Sequence, residues 1–215
     1  MKALFLKRPF DMAVSLAGII ISLPLWLLFG FLVWLGDRGP VFYKQERVGK
    51  NGRIFKALKF RSMVRDAEEG KGPVQAEEND PRVTRVGRVL RATAMDELPQ
   101  LLNILKGDMS FVGPRALRPA EIETGKEKLP GNPARDQNQA LPLDKIPGYY
   151  ERQAVRPGLT GLAQIHLPTD APRGEKFRYD HQYIKTQSFW KDLKIMFLSF
   201  WITFRGKWES REKKI

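Results

Sequence analysis

The sequence predicts an α+β, mainly helical protein in two parts, a membrane-embedded segment over residues 1–38 and a compact domain over 39–215 that closes with an interfacial helix. Three observations carry this prediction. Residues 12–35 read MAVSLAGIIISLPLWLLFGFLVWL without one charge, long enough as a helix to cross a hydrocarbon core of roughly 30 Å. Near the other end, SFWKDLKIMFLSFWITFRGKW repeats the membrane theme with a weight of aromatic residues. Between them lie short strand and helix patterns punctuated by glycine and proline.

Composition narrows the function. A net charge of +13 implies an anionic partner: nucleic acid, anionic lipid or a phosphorylated small substrate. The uncharged segment and the aromatic helix argue against nucleic acid. There is no cysteine, which excludes disulfides, thiolate zinc sites and a thiol nucleophile. His166 and His181 are the only histidines, so any catalytic metal is a hard ion on carboxylates, Mg²⁺ or Mn²⁺.

The first element exceeds a signal-peptide core, and no small-x-small cleavage site follows it, so it is expected to be retained. Ser22-Leu23-Pro24 interrupts its middle, where proline removes a backbone hydrogen bond. Basic residues crowd both ends: Lys2, Lys7 and Arg8 before it, and Arg38, Lys44, Arg47, Lys50 and Arg53 after it. Basic flanks tend to stay cytoplasmic. Two of them favour a re-entrant segment, although a proline-kinked span stays open because membrane helices tolerate proline.

Next, Val41-Phe42-Tyr43 and the run from Ile54 to Phe60 flank the turn signal Lys50-Asn51-Gly52, a β-hairpin with Lys59 and Arg61 at its exit. Residues 66–80 are polar and read as a loop or a frayed helix. PRVTRVGRVLRATA is a short basic helix running into MDELPQLLNILKGDMSFVGPRAL. Here Asp96 stands where an N-cap belongs, and Pro99 suits a first turn. Leu98, Leu101, Leu102 and Leu105 recur at helical spacing until Lys106-Gly107 ends the run. On that pattern alone Asp96 and Glu97 are a cap.

Residues 118–147 form a long connection with five prolines. The glycines of AVRPGLTGLAQI mark tight turns able to bring backbone N–H groups near a phosphate. EKFRYDHQYIKTQS is a helix with Asp180 and Tyr183 one turn apart. The last helix sets Phe189, Trp190, Leu193, Met196, Phe197, Phe200, Trp201 and Phe204 on one broad face, with Lys191, Asp192 and Lys194 on the other. Followed by Arg205, Lys207 and Trp208, it suits the headgroup region of a membrane.

The ordered series KRPFD, GPVFYKQERVG, FKALKFRSM, DPRVTRVGRVLRATAMDELPQLLNILKGDMSFVGPR, RPGLTGLAQ, YDHQY and SFWKDLKI resembles the bacterial sugar transferases, the monotopic polyprenol-phosphate phosphoglycosyl transferases. The likeness covers nearly the whole chain. It implies a re-entrant membrane hairpin and a catalytic domain on the cytoplasmic face of the inner membrane. The implied reaction moves a sugar phosphate from a UDP-sugar to undecaprenyl phosphate and releases UMP, opening the synthesis of a surface glycan. It also implies Mg²⁺, with Asp96 as nucleophile, and Lys59, Arg91 and Arg115 as the positions that handle phosphate. The oligomeric state stays open, a homo-oligomer included.

The chemistry suits these residue types. Both substrates are anionic, so cations must offset their repulsion; arginine forks make bidentate phosphate contacts, and Lys59 acts as a point charge. An ionised Asp96 needs no general base before attacking phosphorus. A helix N-terminus would help keep it ionised. Glu97 is the best candidate metal ligand, and Asp180 is a candidate to assist the metal or the substrate. Two positions depart from the family's pattern: its usual Gly-Pro-Arg-Pro reads GPRA, with Ala116 in place of the second proline, and its usual Ser-Pro reads Ser22-Leu23-Pro24.

Overall fold

A computed structural model describes residues 4–65, 67, 80–119, 143–206 and 214. Most of the expected loops over 66–80 and 118–147, and Lys2 of the basic flank, together with Lys207 and Trp208, fall outside the described residues. The chain is mostly helical. Helix α1, Lys7–Asp37, is followed by strands β1, Phe42–Val48, and β2, Ile54–Phe60, then helices α2, Arg85–Ala92, and α3, Gln100–Lys106. Strand β3, Ser110–Val112, and strand β4, Gly158–Thr160, precede helices α4, Leu162–His166, α5, Arg173–Thr186, and α6, Phe189–Phe204.

Helix α1 is a single helical run that continues through Pro24. Ser22 acts two residues before the place where the proline acts. Ser22 donates to the Gly18 carbonyl at 2.6 Å and accepts from Trp26 Nε1 at 2.9 Å, whereas proline at 24 leaves the Ile20 carbonyl without its usual donor. The helix buries three polar residues as well as Val33 against the body and is apolar outside. Asp11, Ser15 and Ser22 are buried, while Ile20, Ile21, Leu27 and Phe31 are exposed. Such an exposed apolar surface suits a helix bathed in lipid.

The β1–β2 hairpin forms as expected, with β1 extending to Val48 and Asn51 in the left-handed region at φ 56° in the turn. Side chains alternate along β2. Phe55, Ala57 and Lys59 share one face, and Phe55 and Ala57 enter the main core with Leu101, Ile104, Ile165, Tyr183 and Ile195. The opposite face sends Phe60 to Val33 of α1 and Leu90 of α2.

Helix α2 is capped by Thr84, which accepts from Gly87 N–H, and α6 by Ser188, which accepts from Lys191 N–H. On α6 the aromatic residues of the expected face lie outward, but Asp192, grouped in the sequence with Lys191 and Lys194, turns inward. Asp192, Ile195, Ser199 and Ile202 are buried, and Trp190, Phe197, Phe200, Trp201 and Phe204 are exposed. Asp192 turns inward because Lys7 Nζ lies 2.5 Å away and the Tyr183 hydroxyl donates to it at 2.7 Å. The aromatic face is therefore free for lipid.

Strands β3 and β4 pair in parallel. The glycines around them serve close backbone packing: a Cβ on Gly158 would lie 2.1 Å from the Gly113 nitrogen, and one on Gly161 would lie 2.2 Å from the Gly113 oxygen. The Gly113 and Gly158 N–H groups donate to Thr160 and Pro114 carbonyls, at 2.9 Å each.

Candidate active site

The site forms where β2, the turn before α3 and the segment after β3 converge. Asp96 and Glu97 lie in a 3-10 turn, Met95–Glu97, entered through Ala94 at φ 55°. Helix α3 begins only at Gln100, with Pro99 at its N-cap position and no side-chain cap. The sequence placed Asp96 at that cap; the structure moves it one turn upstream. The tight turn exists because Ala94 reverses the chain after α2, so the two acids precede the helix instead of opening it.

The buried face of α3 also shifts. Leu101 and Ile104 are buried as a helical pair, but Leu102 and Leu105 are only half-buried, and Asn103 takes an inward place at 2% exposure. Its amide explains why. Asn103 Oδ1 accepts from Leu58 N–H at 2.9 Å, and Nδ2 donates to the Lys56 carbonyl at 2.8 Å. One side chain thus joins the helix behind the acids to the strand that carries Lys59.

Lys59 continues the inward face of β2 and reaches both acids, with Nζ 2.5 Å from Glu97 Oε1 and 3.6 Å from Asp96 Oδ2. Arg115 approaches Glu97 Oε1 at 3.5 Å with its own side chain half exposed. Burial alone would push the Glu97 carboxyl up, but the charges of Lys59, Arg115 and Arg47 outweigh it and hold the group at about 2. Glu97 is therefore an anion at neutral pH.

Four predicted site residues, Lys59, Asp96, Glu97 and Arg115, come together. Arg91 stands in the last turn of α2, and α2 packs against the 3-10 turn that carries the acids. Asp180 lies apart from the acids. It is buried against Arg152, whose Nε and Nη2 donate to it at 3.0 and 2.9 Å, and Arg152 in turn donates to the Arg115 carbonyl at 2.7 Å. Desolvation raises the Asp180 carboxyl above its ordinary range although Arg152 opposes it. Arg61, beside Lys59 in sequence, pairs with Asp37 at the end of α1.

Arg47, Asn103 and Arg152 escaped the sequence reading as site residues. Arg47 had a usable signal, its place in KQERVG on the hairpin strand opposite the one carrying Lys59; Asn103 and Arg152 had none, because the backbone groups that Asn103 bonds and the Asp180 carboxylate and Arg115 carbonyl that Arg152 bonds are distant in sequence.

No group of three or more acid or histidine side chains that could hold a metal occurs among the described residues. A magnesium ion needs only one or two carboxylates when phosphate oxygens and water complete its octahedron. The Asp96-Glu97 pair fits that requirement. The site thus offers two adjacent carboxyl groups and two cations against them, Lys59 and the half-exposed Arg115, an arrangement suited to moving a phosphoryl group.

Comparison with known proteins agrees in kind. The sequence model described as bacterial sugar transferase matches residues 2–206. The chain is 41% identical to the exopolysaccharide production protein PSS of Rhizobium leguminosarum bv. phaseoli, over 90% of this chain and 92% of the relative. It is 35% identical to the undecaprenyl-phosphate galactose phosphotransferase of Salmonella typhimurium, over 94% of this chain but 41% of that longer protein. It is 40% identical to the UDP-glucose:undecaprenyl-phosphate glucose-1-phosphate transferase of Caulobacter vibrioides, over 88% of this chain and 66% of the relative.

Proposed function

We propose a function from one premise: this chain belongs to the bacterial sugar transferase family, the polyprenol-phosphate phosphoglycosyl transferases. It transfers a sugar phosphate from a UDP-sugar to undecaprenyl phosphate and releases UMP, initiating a surface glycan. The observation that carries this reading is the Asp96-Glu97 pair, with Lys59 against both carboxyl groups and Arg115 against Glu97. It lies in a body whose α1 and α6 turn apolar side chains outward. The names of the Salmonella and Caulobacter relatives specify undecaprenyl phosphate as acceptor.

The Asp96 carboxylate attacks the β-phosphorus of the UDP-sugar. An oxygen–phosphorus bond forms to Asp96 as the bond from that phosphorus to the bridging oxygen breaks, and UMP departs with the bridging oxygen and its electron pair. A phosphate oxygen of the polyprenyl phosphate then attacks the same phosphorus and restores the free carboxylate. Two steps keep the two anionic substrates from meeting in a single crowded transition state.

Lys59 and Arg115 offset charge on the transferring group, with Arg91 adding a third cation from α2. Lys59 also steadies both carboxylates. Glu97, with Asp96 beside it, would hold Mg²⁺, which supplies further positive charge to the diphosphate. The basic flanks of α1 support a location on the cytoplasmic face of the inner membrane.

The test is UMP release by the purified protein in lipid nanodiscs, with and without undecaprenyl phosphate. Without the lipid, a stoichiometric burst and a sugar-phosphate adduct on the peptide containing Asp96 are expected. Asp96→Asn should give neither. Full turnover with lipid, but no burst and no adduct without it, overturns the covalent step.

A further inference from the structure

Three consecutive backbone carbonyls around Arg115 are each held from outside the segment. Arg152 Nη2 donates to the Arg115 carbonyl at 2.7 Å, Arg47 Nη1 to the Ala116 carbonyl at 2.8 Å, and Val48 N–H to the Leu117 carbonyl at 2.8 Å. Just upstream, the Pro114 carbonyl accepts from Gly158 N–H at 2.9 Å. The outer guanidiniums are themselves anchored. Arg152 is 7% exposed in its side chain, bonded to Asp180 and stacked 4.5 Å over the Phe177 ring. Arg47 also donates to Gln45 Oε1 on its own strand.

This is heavy restraint for a short loop, and its location explains it. The Arg115 side chain is 50% exposed, so little packing fixes where its guanidinium points. Ala116 adds no ring to fix the backbone after it. The aim of the fork toward Glu97 must therefore come from the peptide carbonyls. Two of the three donors are planar guanidiniums, which can meet a carbonyl while bonded elsewhere.

We propose that Arg47 and Arg152 are positioning residues that fix the backbone of residues 115–117 and so aim Arg115 at the transferring phosphate; the proposal rests on the reaction above for its kinetic readout only. Arg47 is the residue to test, because removing Arg152 would strand the buried Asp180. A displacement of about 1 Å at a phosphate-binding group costs roughly 10²-fold in rate. Arg47→Gln should therefore lower kcat/KM by roughly that factor. Arg47→Lys, which keeps the charge but has no fork, should lie between Arg47→Gln and the parent and covers the case in which the glutamine variant folds poorly.

A double-mutant cycle separates positioning from direct action on substrate. If Arg47 works through Arg115, then in an Arg115→Ala background Arg47→Gln should cost under about threefold more. A second readout needs no activity: hydrogen exchange at the Val48 amide, which donates to Leu117, should accelerate about tenfold in Arg47→Gln while amides in the middle of α5 keep their protection. A full Arg47→Gln penalty that persists without Arg115, or unchanged exchange at Val48, overturns the proposal. Absence of transfer activity in the parent would instead count against the reaction, leaving the exchange result to decide the positioning role.

Discussion

Glu97 owes its charge to its neighbours. Burial works against the carboxylate, yet Lys59 at 2.5 Å and the arginines at 115 and 47 hold it at about 2, against an ordinary 4.5. A depressed carboxyl stabilises the fold above its unfolded value and loses that contribution as pH falls through the folded one. The parent should therefore lose stability between about pH 4.5 and 2 more steeply than Glu97→Gln, by a total on the order of 3 kcal/mol. Urea midpoints measured across that window in both proteins check it; parallel curves would mean that the cations do not act on Glu97. The same residue scale shows why the pairing of Asp180 was not legible in sequence: a helix carboxylate beside a tyrosine carries no mark of Arg152, twenty-eight residues earlier.

At the scale of elements, one asparagine couples the two parts of the site. Asn103 bonds the Leu58 N–H and the Lys56 carbonyl on the strand that carries Lys59, while its helix follows the turn that carries Asp96 and Glu97. Asn103→Ala removes that partner from both backbone groups in a part-buried place, which should cost about 1–3 kcal/mol. It should also lower turnover at a temperature where the variant is still folded, since Lys59 loses its register against the acids. Denaturation midpoints and turnover measured on one preparation test both halves. The hairpin, α2 and α6 were legible because Asn51-Gly52, Thr84 and Ser188 are local signals. The inward turn of Asp192 on α6 was not, because its partners Lys7 and Tyr183 lie on other elements. Nor was the β3–β4 pair, three residues on each strand, joined across a long stretch of sequence with no repeating pattern.

The whole molecule bears on how α1 meets the membrane. Its first turns are fastened to one end of the body: Lys7 to Asp192 and the Val112 carbonyl, Arg8 to the Ile104 and Leu105 carbonyls, Asp11 to Phe111 N–H. Its last turns are fastened to the same body, Val33 against Phe60 and Leu90, and Asp37 to Arg61. The hairpin beside that second end exposes Lys44, Glu46, Arg53 and Lys56, charges that are expensive to place in hydrocarbon. A straight span would carry one of these fastened ends, and the charged strands with it, to the opposite face. The re-entrant arrangement that we propose, with both ends on one side, keeps these contacts. Because the chain has no cysteine, Ala3→Cys and Gly36→Cys can each be probed alone with a membrane-impermeant maleimide, first on right-side-out vesicles and then after detergent. Both positions should be silent before detergent and labelled after it. Labelling of one position alone on sealed vesicles would require a span, and with it a rearrangement of the Lys7–Asp192 and Asp37–Arg61 pairs that fasten the two ends to one body.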